Sequence, residues 1–248
     1  VVFMLSIKNL TVKVNDKTIL HDFNLDINDG EIVTLMGPNG VGKSTICKVI
    51  MGDPTYEIIS GSIFYNDTDL LSLSTDERSR RGIFLLAQNP IELEGITNAE
   101  VLRSALECKT GEHVNIFDFN RKVTEICRKL NIPVEFIHRG VNEGMSGGEK
   151  KKNEILHLYV LEPKLILLDE LDSGLDVDSL KSLSAALMDY KDETVSILII
   201  THHTNILEYI KPDKVSILSG GSIVKEGDAS LAREIETSGF SAYEVSEK

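Results

Sequence analysis

Two kinds of hydrophobic pattern divide the chain. Up to about Gln88, apolar positions alternate with polar ones or form short runs, as in Leu5–Val14 and Phe23–Ile27, and both patterns are typical of β-strands. Between Thr97 and Val160, apolar residues instead recur every three or four positions, which predicts helices. We therefore expect an antiparallel β layer at the start of the chain and a helical segment in its middle.

Strands and helices alternate in the last third of the sequence. Short apolar runs at 164–168, 196–200 and 214–218 are separated by helical patterns at Asp176–Tyr190 and Thr204–Ile210. Short apolar runs between helices are typical of parallel strands that are buried on both faces. The pattern therefore predicts an α/β fold with a mostly parallel core sheet.

Three helices have a predicted start, because a Ser or Thr is followed three residues later by Glu. This spacing forms a capping box, which satisfies the free backbone N–H groups of a first helical turn. The pairs are Ser74 with Glu77, Thr97 with Glu100, and Ser146 with Glu149.

Charge and composition exclude several classes of protein. The 248 residues include 39 Asp and Glu but only 26 Lys and Arg, giving a formal net charge of -13, which disfavours nonspecific binding to nucleic acid or anionic membranes. The apolar runs are far shorter than the roughly 20 residues that a membrane-spanning helix needs. Cys47, Cys108 and Cys127 are odd in number and lack CxxC spacing, which favours neither a disulfide framework nor a zinc site.

A glycine-rich loop carries the most specific chemistry in the sequence. It lies between a predicted strand and a predicted helix, and it matches the phosphate-binding pattern GxxxxGK[ST]. Its residues are Gly37, Pro38, Asn39, Gly40, Val41, Gly42, Lys43 and Ser44, followed by Thr45. Glycines there expose backbone N–H groups to phosphates, the lysine reaches the β- and γ-phosphates, and the serine hydroxyl is suited to Mg²⁺.

Two adjacent carboxylates follow a strongly apolar strand. Asp169 and Glu170 end the run that begins at Leu165, and such a position beside a phosphate loop suits a metal-binding carboxylate. Alternation along the strand directs the two side chains differently. We expect Asp169 to hold Mg²⁺ and Glu170 to orient or deprotonate the attacking water.

A second glycine-rich segment opens a long helix. Ser146 and Glu149 form the capping box, while Gly147 and Gly148 leave backbone N–H groups uncovered, which predicts a second surface for an anion. We interpret the following run Lys150–Lys152 as a solvated helix face in preference to a direct phosphate contact.

Taken in order, these motifs resemble the ABC-type ATPase family, and the resemblance covers nearly the whole chain. The motifs that carry it are GPNGVGKST, Gln88, MSGGEKK, LILLDE, the SGLD of Ser173–Asp176 and the ITHH that contains His202. The resemblance implies an α/β P-loop NTPase with an N-terminal antiparallel β subdomain and a helical subdomain. It also implies one domain over 4–248, with 4–90 and 161–248 as the catalytic core and 91–160 as the helical subdomain.

What the family implies for the site is hydrolysis of ATP with Mg²⁺. In the resemblance Lys43 binds phosphate, Glu170 polarises water and His202 contacts the γ-phosphate. Gln88 senses the nucleotide and, together with Ser44 and Asp169, binds the metal. The resemblance further implies a head-to-tail homodimer. Each ATP then lies between one protomer's phosphate loop and the signature Ser146–Glu149 of the other, and Asp176 links the two sites.

Two positions depart from the family pattern, and one of them is Glu149 of the signature, where many members have glutamine. The family usually has an aromatic residue on the early strand that stacks on adenine, and the position aligned with it is Val14. Loss of stacking leaves only apolar contact with the base, so we expect modest discrimination between ATP and GTP.

Longer stretches resemble one branch of the family, the soluble ATPases of the Suf iron–sulfur cluster assembly system. They include MGDPTYEIISGSI, GIFLLAQNPIELEGITN and VNEGMSGGEKKKNEIL. The resemblance implies SufB- and SufD-like scaffold proteins as partners, without nucleic acid or direct membrane insertion. It implies a cytoplasmic location, or a plastid-type organelle stroma if the natural chain carries a transit peptide.

Two alternatives remain open at this stage. The same ATPase motifs serve as the nucleotide-binding subunit of membrane ABC transporters, and the segment 89–98 after Gln88 is where the two roles should differ. A non-catalytic scaffold gated by ATP is a further alternative, although Glu170 and His202 argue against it. Cys47, inside the predicted phosphate-loop helix, is expected to be a small core residue.

Overall fold

The structure, a computed structural model, describes residues 3–243, so that the last five residues of the predicted domain, 244–248, lie outside the described part. Its strands are β1 Leu5–Val14, β2 Lys17–Ile27, β3 Ile32–Met36, β4 Glu57–Tyr65, β5 Thr68–Asp69, β6 Ile83–Leu86, β7 Leu93–Thr97, β8 Gly140–Val141, β9 Leu165–Asp169, β10 Ser196–Thr201, β11 Lys214–Ser219 and β12 Ser222–Gly227. Its α-helices are α1 Lys43–Met51, α2 Thr75–Arg80, α3 Asn98–Thr110, α4 Ile116–Leu130, α5 Gly147–Leu161, α6 Val177–Tyr190 and α7 Ala229–Ser238.

The central sheet has six strands in the order β12-β11-β3-β10-β9-β6. All neighbours in it are parallel except β11 and β12, which form an antiparallel hairpin. The middle strands β3, β9 and β10 are buried along their whole length, as expected for a parallel sheet covered on both faces. The predicted α/β class with a mostly parallel core is thus confirmed.

An antiparallel sheet in the order β2-β1-β4-β5 forms the predicted β layer. One apolar core joins this layer to α1 and to one face of the central sheet, as shown by Phe23, Ile46 and Leu167 in the same cluster. Alternate residues of the same central strands, such as Leu168, face the opposite side and pack with α5 and α6. Cys47 is fully buried in the first core, which confirms its predicted role as a core residue.

Residues 98–161 contain the three long helices α3, α4 and α5, which share a separate apolar cluster that includes Leu102, Phe119 and Leu156. Helix α5 also contributes Ile155 and Leu158 to the core beneath the central sheet. It therefore packs on both sides and joins the helical segment to the sheet.

All three predicted capping boxes are present at the starts of α2, α3 and α5. Two other local predictions are wrong or incomplete. The predicted helix Thr204–Ile210 is a single 3₁₀ turn over Asn205–Glu208, and the two-stranded sheet β7–β8 was not anticipated. Both features are short, and tertiary contacts rather than periodicity determine them.

Candidate functional site

The predicted phosphate loop joins β3 to α1 at the carboxyl end of the parallel sheet. Gly40 and Gly42 have φ angles of 81° and 100°, in the left-handed region. A Cβ atom at Gly42 would lie 2.9 Å from Ile19 Cγ2. Only glycine combines this backbone conformation with this close approach, so the loop can fold around an anion at the start of α1.

Lys43 points back into this loop. Its Nζ atom donates hydrogen bonds to the carbonyl oxygens of Gly37 and Pro38, each at 2.8 Å. Burial lowers the pKa of the Lys43 amine, while the nearby carboxylates of Glu170 and Asp169 oppose that shift. The ammonium group is thus held inside the loop, where a phosphate chain would meet it.

Ser44 and Asp169 meet across the end of the sheet. The Ser44 hydroxyl donates to Asp169 Oδ1 at 2.6 Å. Burial raises the pKa of Asp169, and the hydrogen bond from Ser44 acts in the opposite direction. A hydroxyl and a buried carboxylate oxygen at this separation form the kind of hard oxygen donor set that suits Mg²⁺.

Glu170 lies at the centre of a second contact group. Its carboxylate accepts a hydrogen bond from Gln88 Nε2 at 2.6 Å and lies 3.1 Å from His202 Nδ1. Sheet order explains the meeting: Gln88 follows β6, Glu170 follows β9, and His202 follows β10, and these three strands are neighbours. The structure therefore brings together three side chains that lie far apart in sequence.

A cavity of about 400 Å³ lies beside these groups. It is lined by the phosphate loop and α1 together with Gln88, Glu170, Ile19 and Tyr56. Val14, which we aligned with the adenine-stacking position, pairs with Lys17 at the tip of the β1–β2 hairpin and does not line this cavity. Tyr56 and Ile19 were missed because neither belongs to a motif, and a single aromatic residue in a loop is a weak signal.

The predicted signature residues lie outside this cavity. The side chain of Ser146 caps α5 and donates to Glu149 Oε2 at 2.7 Å, and Glu149 Oε2 also accepts from the Ser146 backbone N–H at 2.8 Å. A Cβ atom at Gly147 would meet nothing within 4 Å. The start of α5 is thus open, and Gly147 lines a different cavity, with Gln88 and Ser173–Leu175.

The remaining predicted residues have mixed outcomes. Asp176 caps α6 by accepting a hydrogen bond from Ser179 N at 2.7 Å. Lys150 pairs with Glu92. The prediction of a solvated face is wrong for Lys151, which is only 3% exposed, because its amine is held inside by polar partners.

The chain is similar in sequence to several known proteins. The family model described as ABC transporter matches residues 20–173. The Probable ATP-dependent transporter SufC of Escherichia coli (strain K12) is 44% identical over 241 residues, which covers 96% of this chain and 97% of that protein. Vegetative protein 296 of Bacillus subtilis (strain 168) is 45% identical over 238 residues, which covers 95% of this chain and 91% of that protein.

A solved structure shows a similar fold. It is the dimeric post-hydrolysis state of the ATP-binding cassette MJ0796 with ADP and Pi, which superposes with a TM-score of 0.78 at 23% identity and covers 91% of this chain and 99% of that one. Within residues 3–243, none of the helices combines the length and apolar character needed to cross a bilayer.

Proposed function

The chain belongs to the ABC transporter family of ATP-binding cassettes and is an ATPase, and from that premise we propose that it drives iron–sulfur cluster assembly on SufB- and SufD-like scaffold proteins. The observation that carries this proposal is the likeness to SufC, which extends over nearly the full length of both chains. The similarity to SufC supports the proposed partners, and the candidate site supports ATP hydrolysis.

For hydrolysis, the proposed roles follow from the positions of the side chains. The loop Gly37–Thr45 binds the phosphate chain, with Lys43 neutralising the β- and γ-phosphates. Glu170 orients and polarises the attacking water, since its carboxylate borders the cavity and is fixed by Gln88 and His202. His202 then contacts the γ-phosphate.

Mg²⁺ fits the oxygen donors at the start of α1 and the end of β9. Ser44, Asp169 and Gln88 would hold it, and when bound it would neutralise charge on the phosphate oxygens. Asp169 is 4% exposed, and a carboxylate so buried is stabilised in its charged form by a cation.

The signature residues are not among the residues that line the phosphate cavity. We propose that Ser146, Gly147, Gly148 and Glu149 bind the nucleotide of a second protomer in a head-to-tail homodimer, and that Asp176 lies at the contact. Support comes from the open N-terminus of α5 and from its position outside the phosphate cavity. The dimer would complete two sites at once.

For the organisation of the chain, we propose one domain over 4–248. Its catalytic core comprises 4–90 and 161–248, and its helical subdomain comprises 91–160. The separate apolar cluster of α3, α4 and α5 supports this division.

We place the partner contact on the segment 89–98. Its side chains Ile91, Leu93 and Ile96 are exposed, Ile91 by 74%, although they are apolar. Glu92 and Glu94 lie between them. An apolar surface interrupted by acids suits an amphipathic partner segment with basic residues.

A nucleotide-binding subunit of a membrane transporter is the second candidate, because the names of the matching family and of the SufC relative both refer to transport. The two candidates share every catalytic residue. They differ in what docks on the segment 89–98.

Affinity purification from native extract tests the proposal. Tagged protein should retain SufB- and SufD-like proteins from the soluble fraction, and Ile91→Asp should abolish that retention while ATP binding persists. Phe117→Asp is the matched control, since Phe117 is an apolar side chain on α4 with 81% exposure. Recovery of a multi-span permease from the membrane fraction would instead assign the chain to transport.

A further inference from the structure

Ala87 lies where one edge of the central sheet ends. Strand β6 is the edge strand of that sheet, and its pairing with β9 stops at Leu86 opposite Leu168. Ala87 follows at once and is half-buried. Its backbone N–H and C=O groups therefore need partners other than the sheet.

Two side chains of α5 provide these partners. The N–H of Ala87 donates to Glu154 Oε1 at 3.3 Å, and the Lys151 ammonium donates to the Ala87 carbonyl oxygen. Lys151 Nζ also lies 3.4 Å from Glu154 Oε2. The pair of opposite charges thus holds both polar groups of one residue.

Both side chains are largely shielded from water, with 4% of Lys151 and 13% of Glu154 exposed. Burial raises the pKa of Glu154 to about 7, against the opposing effect of Lys151 and of the Ala87 N–H. Burying two charges costs free energy unless their geometry is specific. Apolar packing alone therefore does not explain why this buried ion pair lies on α5, the helix that begins at the signature.

The next residue after Ala87 is Gln88, whose amide donates to Glu170 at 2.6 Å. Gly147, Lys151 and Glu154 are spaced along one face of α5, and Gly147 and Lys151 line a cavity of about 230 Å³ together with Gln88. A displacement of α5 would therefore reach Gln88 through Ala87.

We propose that Lys151 and Glu154 are positioning residues, which hold Ala87 so that the Gln88 amide stays on Glu170 and which connect the signature helix to the water-activating carboxylate. This proposal rests on the roles proposed above for Gln88 and Glu170. Lys151 and Glu154 themselves act without touching nucleotide.

The first test is Glu154→Gln. Glutamine keeps the size and an acceptor for Ala87 but removes the charge opposite Lys151, so we expect kcat for ATP hydrolysis to fall about tenfold, since small misplacements of catalytic groups have effects of this order. The Kd for ATP should not change. Glu162→Gln is the matched control: Glu162 ends the same helix and pairs with Lys122 in an exposed ion pair, and its loss should leave kcat unchanged.

The second test separates positioning from a general structural effect. If Glu154 acts through Gln88, the double variant Glu154→Gln, Gln88→Ala should have the same kcat as Gln88→Ala alone. Multiplied losses would overturn the proposal, as would parental kcat in Glu154→Gln. If Glu154→Gln does not fold, Lys151→Met replaces it in the same comparison of single and double variants. Lys151→Met need not leave a buried charge, because the remaining Glu154 can take up a proton.

The same series distinguishes a failure of this proposal from a failure of the proposed function. Parental hydrolysis by both Gln88→Ala and Glu170→Gln would disprove the catalytic assignments themselves. Loss of hydrolysis in those two variants, with parental kcat in Glu154→Gln and Lys151→Met, would overturn only the positioning role.

Discussion

Glu170 has an unusual backbone conformation for a buried residue other than glycine. Its φ angle is 49°, in the left-handed region that non-glycine residues seldom adopt, and only 9% of the residue is exposed. This turn at the end of β9 separates the directions of Asp169 and Glu170. One carboxylate therefore meets Ser44 and the other meets Gln88 and His202.

Glu170→Gln should abolish most hydrolysis and preserve ATP binding. The amide keeps the shape of the side chain but cannot take a proton from water, so we expect the steady-state rate to fall by at least about a hundredfold. Release of phosphate and equilibrium binding of a fluorescent ATP analogue measure the two properties. Lys43→Ala is the contrasting variant, because it should lose binding as well; parental turnover in Glu170→Gln would contradict the assignment.

At the scale of residues, spacing in the sequence was sufficient to select the phosphate loop, Asp169 and Glu170 as candidate site residues, and the structure brings them together at one end of the central sheet. The mechanism restricts these positions so strongly that their residue types reveal them. Tyr56 and Lys151 were missed or misassigned for the opposite reason. Their environment depends on which distant segment packs against them, and a lysine within a run of lysines gives no sign that it is buried.

At the scale of elements, a buried polar network fixes α5 within the helical segment. Asn153 on α5 donates to Asn98 Oδ1 at 2.8 Å and to Asn142 Oδ1 at 3.0 Å, and His157 Nε2 lies 2.7 Å from the same Asn98 oxygen. Asn98 in turn donates to the Phe136 carbonyl oxygen at 2.8 Å, which identifies its Oδ1 atom as the acceptor. His157 must therefore carry its proton on Nε2.

Acid should lower the stability of the whole fold through this network. Burial lowers the pKa of His157 in the folded state from 6.5 to about 4. Between these two values, the unfolded chain binds a proton at this histidine and the folded chain does not. The free energy of unfolding contributed by this group is therefore complete above pH 6.5 and declines as the pH falls towards 4.

His157→Gln should flatten that dependence, as measured by urea denaturation at several pH values between 7 and 4, because glutamine can donate to Asn98 without titrating in this range. His138→Gln is the matched control, since His138 is an exposed histidine in the same segment. The same slope in the parent and in His157→Gln would exclude His157 as its source.

Long periodic elements were predictable from the sequence, and short ones were not. The helix Asp176–Tyr190 and the strand 196–200 follow from many apolar positions in register. The two-stranded sheet β7–β8 pairs two short segments that are separated by 42 residues. Its register is supported by contacts such as that of Asn142 Nδ2 with the Ile91 carbonyl oxygen at 2.8 Å. No local pattern contains that information.

At the scale of the whole molecule, the two surfaces that we propose to bind anions lie in different surroundings. The phosphate cavity is lined by α1 and the loop before it, whereas the open start of α5 borders the segment after Gln88 and residues Ser173–Leu175. Because the two surfaces line different cavities, we expect one nucleotide to contact both only when it lies between two copies related by a twofold axis.

ATP should therefore double the molecular mass of the Glu170→Gln variant, as measured by light scattering during size-exclusion chromatography. Since this variant is expected to lose most ATP hydrolysis, the ATP-bound dimer should not dissociate. Adding Ser146→Arg should return the protein to monomers, because the larger side chain would obstruct the signature surface. Phe117→Arg on α4 is the control and should leave the dimer intact. A monomeric Glu170→Gln at saturating ATP would contradict the head-to-tail arrangement.

Helix α5 belongs to two apolar cores, with Ile155 and Leu158 beneath the central sheet and Leu156 and Val160 in the helical segment. Its interior residues are therefore fully packed only when both cores are present. If the helical segment unfolded alone, one side of α5 would become exposed while the other side stayed packed on the sheet. Buried apolar area would be lost, and the helix would still be held in place. The two parts of the chain should consequently unfold together, as one cooperative unit.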